Sequence, residues 1–216
     1  MTRTHYQHSL DVLKTKVLEM GEKSHKLIAD SIQALDLKDI ELAEQVIKGD
    51  KEIDDYDLMI ERCVSQLIAR ESPTAGDMRF VTSCFKISLD LERMSDNAVD
   101  IAKSTRCLEE GHTKPPGNIL KMAGLGEEML RQSMRAFDTL DEDLARATAR
   151  EDDKIDRLFY ETQQELIEMM SEDRTIINNA SYLLFVIRYL ERIGDHACNI
   201  CESVVYMASG ERVDLN

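Results

Sequence analysis

Eight carboxylates in this 216-residue chain fall into two matching sets. The first is Asp50, Asp54, Glu92 and Asp96; the second is Asp152, Asp156, Glu191 and Asp195. Within each set the acids come in pairs four residues apart, one turn apart on one face of a helix. A lone pair of this kind carries little weight. With 42 acidic residues in 216, chance alone gives roughly eight of them, mostly on solvated faces. These four pairs differ because they recur in register. Asp50-Lys-Glu-Ile-Asp54 returns as Asp152-Asp-Lys-Ile-Asp156, and Leu91-Glu-Arg-Met-Ser-Asp96 returns as Leu190-Glu-Arg-Ile-Gly-Asp195.

Four carboxylates gathered in one place cannot all stay ionised unaided, because like charge raises their pKa values. Bound cations would relieve that repulsion. An all-oxygen donor set favours hard ions such as Mg, Ca or Mn, with carboxylate-rich iron also open. The competing reading is structural. Glu92 and Glu191 are each followed by arginine, so the acids could be ion-paired groups at helix seams. Buried acids are rare unless paired or coordinated, which tips the balance toward metal. Asp100 and Glu202 continue the same helices and are candidates for outer ligands only. His196 follows Asp195, but Asn97 stands at the matching place in the first set, so a neutral or solvated histidine is expected.

The elements that must position these acids are helices. Hydrophobic residues make up 43% and charged residues 32%, with 3 Pro, 9 Gly and no Trp, a composition that favours an all-α protein. Helical spacing predicts helices over 5–35, 38–70, 73–108, 119–140, 141–171 and from about Asp173 to Gly210. Asp36 and Asp39 are candidate caps for the second, Ser72-Pro73 reads as the start of the third, and Gly49 marks a local bend in the second. The proline cluster at 112–117 is the expected linker. The domains are therefore 1–111 and 118–216, two tandem repeated three-helix bundles of six long helices. In each repeat the last two helices form a hairpin. Asp54 lies about 18 residues before the first turn and Glu92 about 20 after it, so both sit roughly 27–30 Å from it, at matching heights. The second repeat behaves alike. The wheel places Glu92 with Phe85 and Glu191 with Leu184, at the edge of the apolar stripe.

A formal net charge of −15 disfavours nucleic acid and anionic lipid as direct partners. The longest apolar run, Tyr182 to Ile187, is far short of the ~20 residues of a membrane span. Five cysteines, Cys63, Cys84, Cys107, Cys198 and Cys201, with no apolar signal core before them, point to reduced thiols in cytosol. Cys198 and Cys201 read as structural rather than redox or zinc residues. Met59, Met122, Met129, Met134, Met169 and Met170 are expected to fill helix seams. No Gly-rich phosphate loop and no G-x-S-x-G elbow is present.

The doubled E-R-x-x-D, the doubled D-x-x-x-D, Ser72-Pro73-Thr-Ala-Gly-Asp77-Met-Arg79 and the run from Glu191 to Glu202 together resemble the PhoU family of phosphate-transport accessory and regulatory proteins. The likeness covers both repeats. It departs at the second turn, where Glu172-Asp-Arg-Thr175 replaces Ser-Pro-Thr-Ala. The resemblance implies two tandem three-helix bundles whose acidic motifs hold metal: an iron cluster, or Mg, Mn, Zn or Ca. It implies a cytoplasmic homodimer that represses phosphate uptake and the phosphate-starvation response. The expected partners are the phosphate ABC transporter, through its ATP-binding subunit, and a sensor histidine kinase, with membrane contact only peripheral and through those proteins. The expected protein is thus not an enzyme. The alternative is a carboxylate-bridged metalloenzyme, an oxidase or hydrolase, which would need an open metal position and usually histidine ligands.

Overall fold

The computed structural model describes residues 3–108 and 115–215. Within them the chain is helical throughout: α1 (Arg3–Leu37), α2 (Ile40–Glu71), α3 (Ala75–Cys107), α4 (Gly117–Thr139), α5 (Glu142–Ala149), α6 (Asp152–Glu172) and α7 (Ile177–Ser209), with a 3-10 turn over Arg174–Ile176. The all-α expectation and its two three-helix bundles hold, with one correction. The predicted fifth helix is two helices, separated by Arg150 and Glu151. Of the expected linker, residues 112–114 lie outside the described residues, and Gly117 already opens α4.

The opening turn of each repeat is the same device. Lys38 and Leu140 adopt left-handed backbone with φ of 52° and 54°. The Asp39 N–H reaches back to the Ala34 carbonyl at 2.9 Å, and the Asp141 N–H to that of Ala136 at 3.0 Å. That satisfies the carbonyls of a helix end. Asp39 and Asp141 then cap the next helix, accepting from the Leu42 and Leu144 N–H at 3.0 and 2.9 Å. Of the two predicted caps, Asp39 is therefore the one used.

The second turns diverge. Ser72 is not a helix start: it ends α2 in left-handed backbone, and the α3 cap is Thr74, whose hydroxyl donates to Asp77. In the second repeat Asp173 accepts from the Thr175 N–H at 2.8 Å and steers the chain into the 3-10 turn.

Packing arranges the helices in two layers. α2, α3, α7 and the α5–α6 rod lie side by side, and α1 and α4 cover one side of that layer. α3 packs against α7 more extensively than any other pair, so the two repeats share one continuous core. The repeated motif supplies its centre: Leu91, Met94, Ala98 and Ile101 on α3, and Leu190, Ile193, Ala197 and Ile200 on α7, are all buried. This is the i, i+3, i+4 apolar stripe of an amphipathic helix. Met122 and Met129 are buried, and Met134, Met169 and Met170 pack against the core as expected. Gly49 lies inside the unbroken α2, where a Cβ would come within 2.9 Å of Leu27 Cδ1; it admits a close neighbour rather than ending the helix.

α3 and α7 run antiparallel: Arg79 near the start of α3 packs against Gly210 at the end of α7. Across this seam Asp90 accepts from Asn199, and Asp100 lies near Tyr189. In the repeat alignment Asp90 matches Tyr189 and Asp100 matches Asn199. The two contacts are thus symmetry mates, and a pseudo-two-fold relates the repeats through the seam.

Candidate metal centre

The predicted acids line two seams, the first set between α2 and α3 and the second between α6 and α7, within electrostatic reach of one another. The acids sit beside the buried stripe, one residue on from Leu91 and Leu190, so their heads emerge at the layer surface. Glu92 keeps 24% and Glu191 14% of its side chain exposed, which fixes both at the stripe edge predicted for them.

In the first set, burial and then the charges of Asp54 and Asp96 raise the Asp50 pKa. Burial and then Asp96 raise that of Glu92, with Asp57 and Asp54 adding to it. Acids on α2 and α3 therefore feel one another across the seam. Arg93 offsets part of this: its Nε lies 3.3 Å from Glu92 and its guanidinium donates to Asp96 at 3.2 Å. Asp54 is exposed, and Asp100 is held by Lys103 at 2.9 Å.

The second set is deeper. Asp152 is 4% exposed, and neither of its carboxylate oxygens has a donor in hydrogen-bonding geometry. Burial, then the charges of Asp195, Asp156 and Glu191, push its pKa up to about 7. The Cys198 thiol beside it eases this slightly, but points its hydrogen at the Ala149 carbonyl, 3.6 Å away. Burial and then Asp195 also raise Asp156 and Glu191. Glu191 Oε1 accepts from Arg188 at 2.6 Å, not from the arginine that follows it, and Glu191 Oε2 has no hydrogen-bond donor.

Two local features place Asp152. The break at Arg150-Glu151, closed by 3.0 Å bonds from the Glu151 N–H to Thr148 and from the Lys154 N–H to Glu151, makes Asp152 the first residue of α6. Gly194, opposite, leaves room for its carboxyl: a Cβ there would collide with Asp152 Oδ1 and come within 3.0 Å of Ile155 Cδ1.

The donor chemistry fits a hard cation. The oxygens are anionic, partly dehydrated, mutually repelling and, at Glu92, Asp152 and Glu191, short of donors. The placement is open: among the described residues no three His, Cys, Asp or Glu side chains are gathered tightly enough to hold a metal ion as they stand. A coordination sphere would need the carboxylates to swing toward one another.

The residues considered as accessories have partners of their own, although Asp100 also acts on Asp50. His196 Nδ1 is 3.0 Å from Asp90 Oδ1, and Asn199 donates to the same oxygen at 3.0 Å. Glu202 accepts from the Leu215 N–H at 2.9 Å, holding the tail after α7. Asp90, Gly194 and Arg188 were not singled out from sequence. The Ser95/Gly194 and Asp90/Tyr189 differences in the aligned repeats carry the signal for two of them. All five cysteines are free thiols; Cys84, Cys198 and Cys201 are buried, and burial raises the pKa of each. No helix among the described residues is long and apolar enough to cross a membrane.

The same duplication governs the likeness to known proteins. The PhoU domain model matches the chain twice, over residues 17–105 and 119–204. The chain is 39% identical over 218 residues to the "Phosphate-specific transport system accessory protein PhoU homolog" of Clostridium acetobutylicum, with all of both chains covered. It is 39% identical over 205 residues to the protein of that name in Aquifex aeolicus, covering 94% of this chain and 93% of the relative. The crystal structure of PhoU from Streptococcus pneumoniae superposes with a TM-score of 0.92 at 32% identity, covering 97% of this chain and 99% of the other. That of PhoU from Pseudomonas aeruginosa superposes with a TM-score of 0.90 at 32% identity, covering 95% and 100%. In fold, in duplication and in sequence along nearly its whole length, the chain belongs to the PhoU family.

Proposed function

We propose that this chain is a regulator of phosphate transport that acts by binding other proteins rather than by catalysis. The observation that carries the proposal is the end-to-end match, across both repeats, to proteins named as accessories of the phosphate-specific transport system. In this reading it works in the cytoplasm and restrains phosphate uptake and the phosphate-starvation response when phosphate is plentiful. It does so as a homodimer between the ATP-binding subunit of the phosphate ABC transporter and a sensor histidine kinase. The acidic surface suits basic patches on such partners.

The two carboxylate sets are the cation sites of this regulator: Asp50, Asp54, Glu92 and Asp96 in one, Asp152, Asp156, Glu191 and Asp195 in the other. Support comes from their mutual repulsion and from the unmatched oxygens of Asp152 and Glu191. A bound cation would neutralise each cluster and clasp the two helices of its seam. The oxidase or hydrolase reading finds less support, because His196, which follows Asp195, already engages Asp90.

Deletion of the gene tests the regulatory role. Loss of phosphate repression is expected, and a deletion strain with a normal, phosphate-repressible response would refute it. Capture of partners from phosphate-replete cells by the intact chain, and not by a Glu92→Ala, Asp96→Ala, Glu191→Ala, Asp195→Ala variant, tests the link between cation sites and adaptor role.

A further inference from the structure

The two carboxylate sites share residue types and register, yet differ at two points. The first is depth: Asp152 is buried, whereas its counterpart Asp50 is only half-buried. The cause is local. The helix break at Arg150-Glu151 falls at the places matching Lys48 and Gly49, where α2 runs on unbroken. The second point is the wall opposite. Gly194 leaves a gap that the Asp152 carboxyl enters, while the matching Ser95 turns its hydroxyl to Ser24 on α1 at 3.1 Å and carries a Cβ. An arginine stands against the glutamate in both sites, Arg93 at Glu92 and Arg188 at Glu191, and one oxygen of each glutamate lacks a donor. At Asp152 both carboxylate oxygens lack a donor in hydrogen-bonding geometry.

We propose that the two sites are unequal by construction: the second repeat's site is the tighter cation site, because Gly194 admits the Asp152 carboxylate into the α6–α7 seam, whereas Ser95 fills the matching place in the first. This rests on the cation-binding reading above. Gly194 is a positioning residue and acts through Asp152. A dehydrated carboxylate without donors loses little on meeting a hard cation, while the half-buried Asp50 must give up water.

The test uses the full chain, stripped with chelator and titrated with Mn2+ alone at pH 8, with free Mn2+ read by electron paramagnetic resonance. Two affinity classes are expected. Gly194→Ala and Asp152→Asn each weaken the tighter class by about tenfold or more and leave the other in place. Asp50→Asn weakens the other class alone. Helical circular dichroism and thermal melting report on folding, and the near-isosteric Asp152→Asn carries the test if Gly194→Ala does not fold. A tight class that survives both substitutions, or one class of equal sites, overturns the inequality and leaves cation binding standing. A wild-type chain that binds no Mn2+ overturns both.

Discussion

Asp152→Asn should make the metal-free chain more stable at pH 8 and flatten its response to pH. The Asp152 pKa rises from 3.8 to about 7 on folding, so between these values the native state holds a proton that the unfolded state has released. Stability from this group is then fully present below about pH 4, falls as pH rises toward 7, and is level beyond. Three pKa units correspond to roughly 4 kcal/mol as a ceiling. The nearby layer surface screens the charges and brings the expected figure to about 2 kcal/mol. Asp50, Glu92, Asp156 and Glu191 are raised as well and act in the same sense. Asparagine keeps the shape, carries no charge, and can donate to the neighbouring carboxylates. Urea unfolding of both chains in chelator, from pH 4 to pH 8, measures the effect. The curves should converge near pH 4 and part by about 2 kcal/mol at pH 8. Parallel curves across that range would refute the reasoning, since the Asp152 carboxyl would then not be carrying a buried, repelled charge.

Other substitutions address the frame that holds the sites. Leu91→Ala, at a fully buried place in the α3 stripe, should lower stability by about 2–5 kcal/mol, read by urea unfolding. Asp39→Ala and Asp141→Ala remove matching caps and should each lower it by about 1 kcal/mol; a large difference between them would show that the two opening turns are not equivalent. Asp90→Ala leaves His196 and Asn199 without their shared acceptor and should lower it by about 1 kcal/mol, and a double-mutant cycle with His196→Ala should show coupling between the two.

Much of this arrangement is legible in the sequence because repetition supplies long-range information that a single helix lacks. The spacing of Leu91, Met94 and Ala98 gives only a buried stripe; its return at Leu190, Ile193 and Ala197 gives the bundle twice. The matched heights of Asp54 and Glu92 follow from helix rise alone. What escapes is decided by contact between elements. Nothing in Ala149-Arg-Glu151 itself interrupts a helix: there is neither proline nor glycine. The break brings Asp152 under the α7 backbone at Gly194, so it is set by tertiary packing, which overrides propensity. Ser72-Pro73 misleads for a related reason. Serine before proline suits a helix start, but Thr74 supplies the cap once Ser72 has taken left-handed backbone to end α2. The bond from Asn199 to Asp90 needs the antiparallel seam, which periodicity within either helix does not contain.

The differences between the repeats are therefore as informative as their likeness. The centre of the buried stripe changes only among apolar residues, Met94 to Ile193 being the one exchange there. Ser95 to Gly194, Asn97 to His196, Asp100 to Asn199 and Asp90 to Tyr189 change charge, hydrogen bonding or room, and three of these involve the α3–α7 seam while the first faces Asp152. A symmetric scaffold would be served by identical halves, since the same packing would close both bundles. The seam instead puts Asp90, His196 and Asn199 on one side of the pseudo-two-fold and Tyr189, Asp100 and Lys103 on the other. Lys103 then adds its charge to the field at Asp50. At Asp152 the easing comes instead from the neutral thiol of Cys198. One fold thus gives the same four carboxylates two electrostatic settings, and a ligand that neutralises them has different work to do in each.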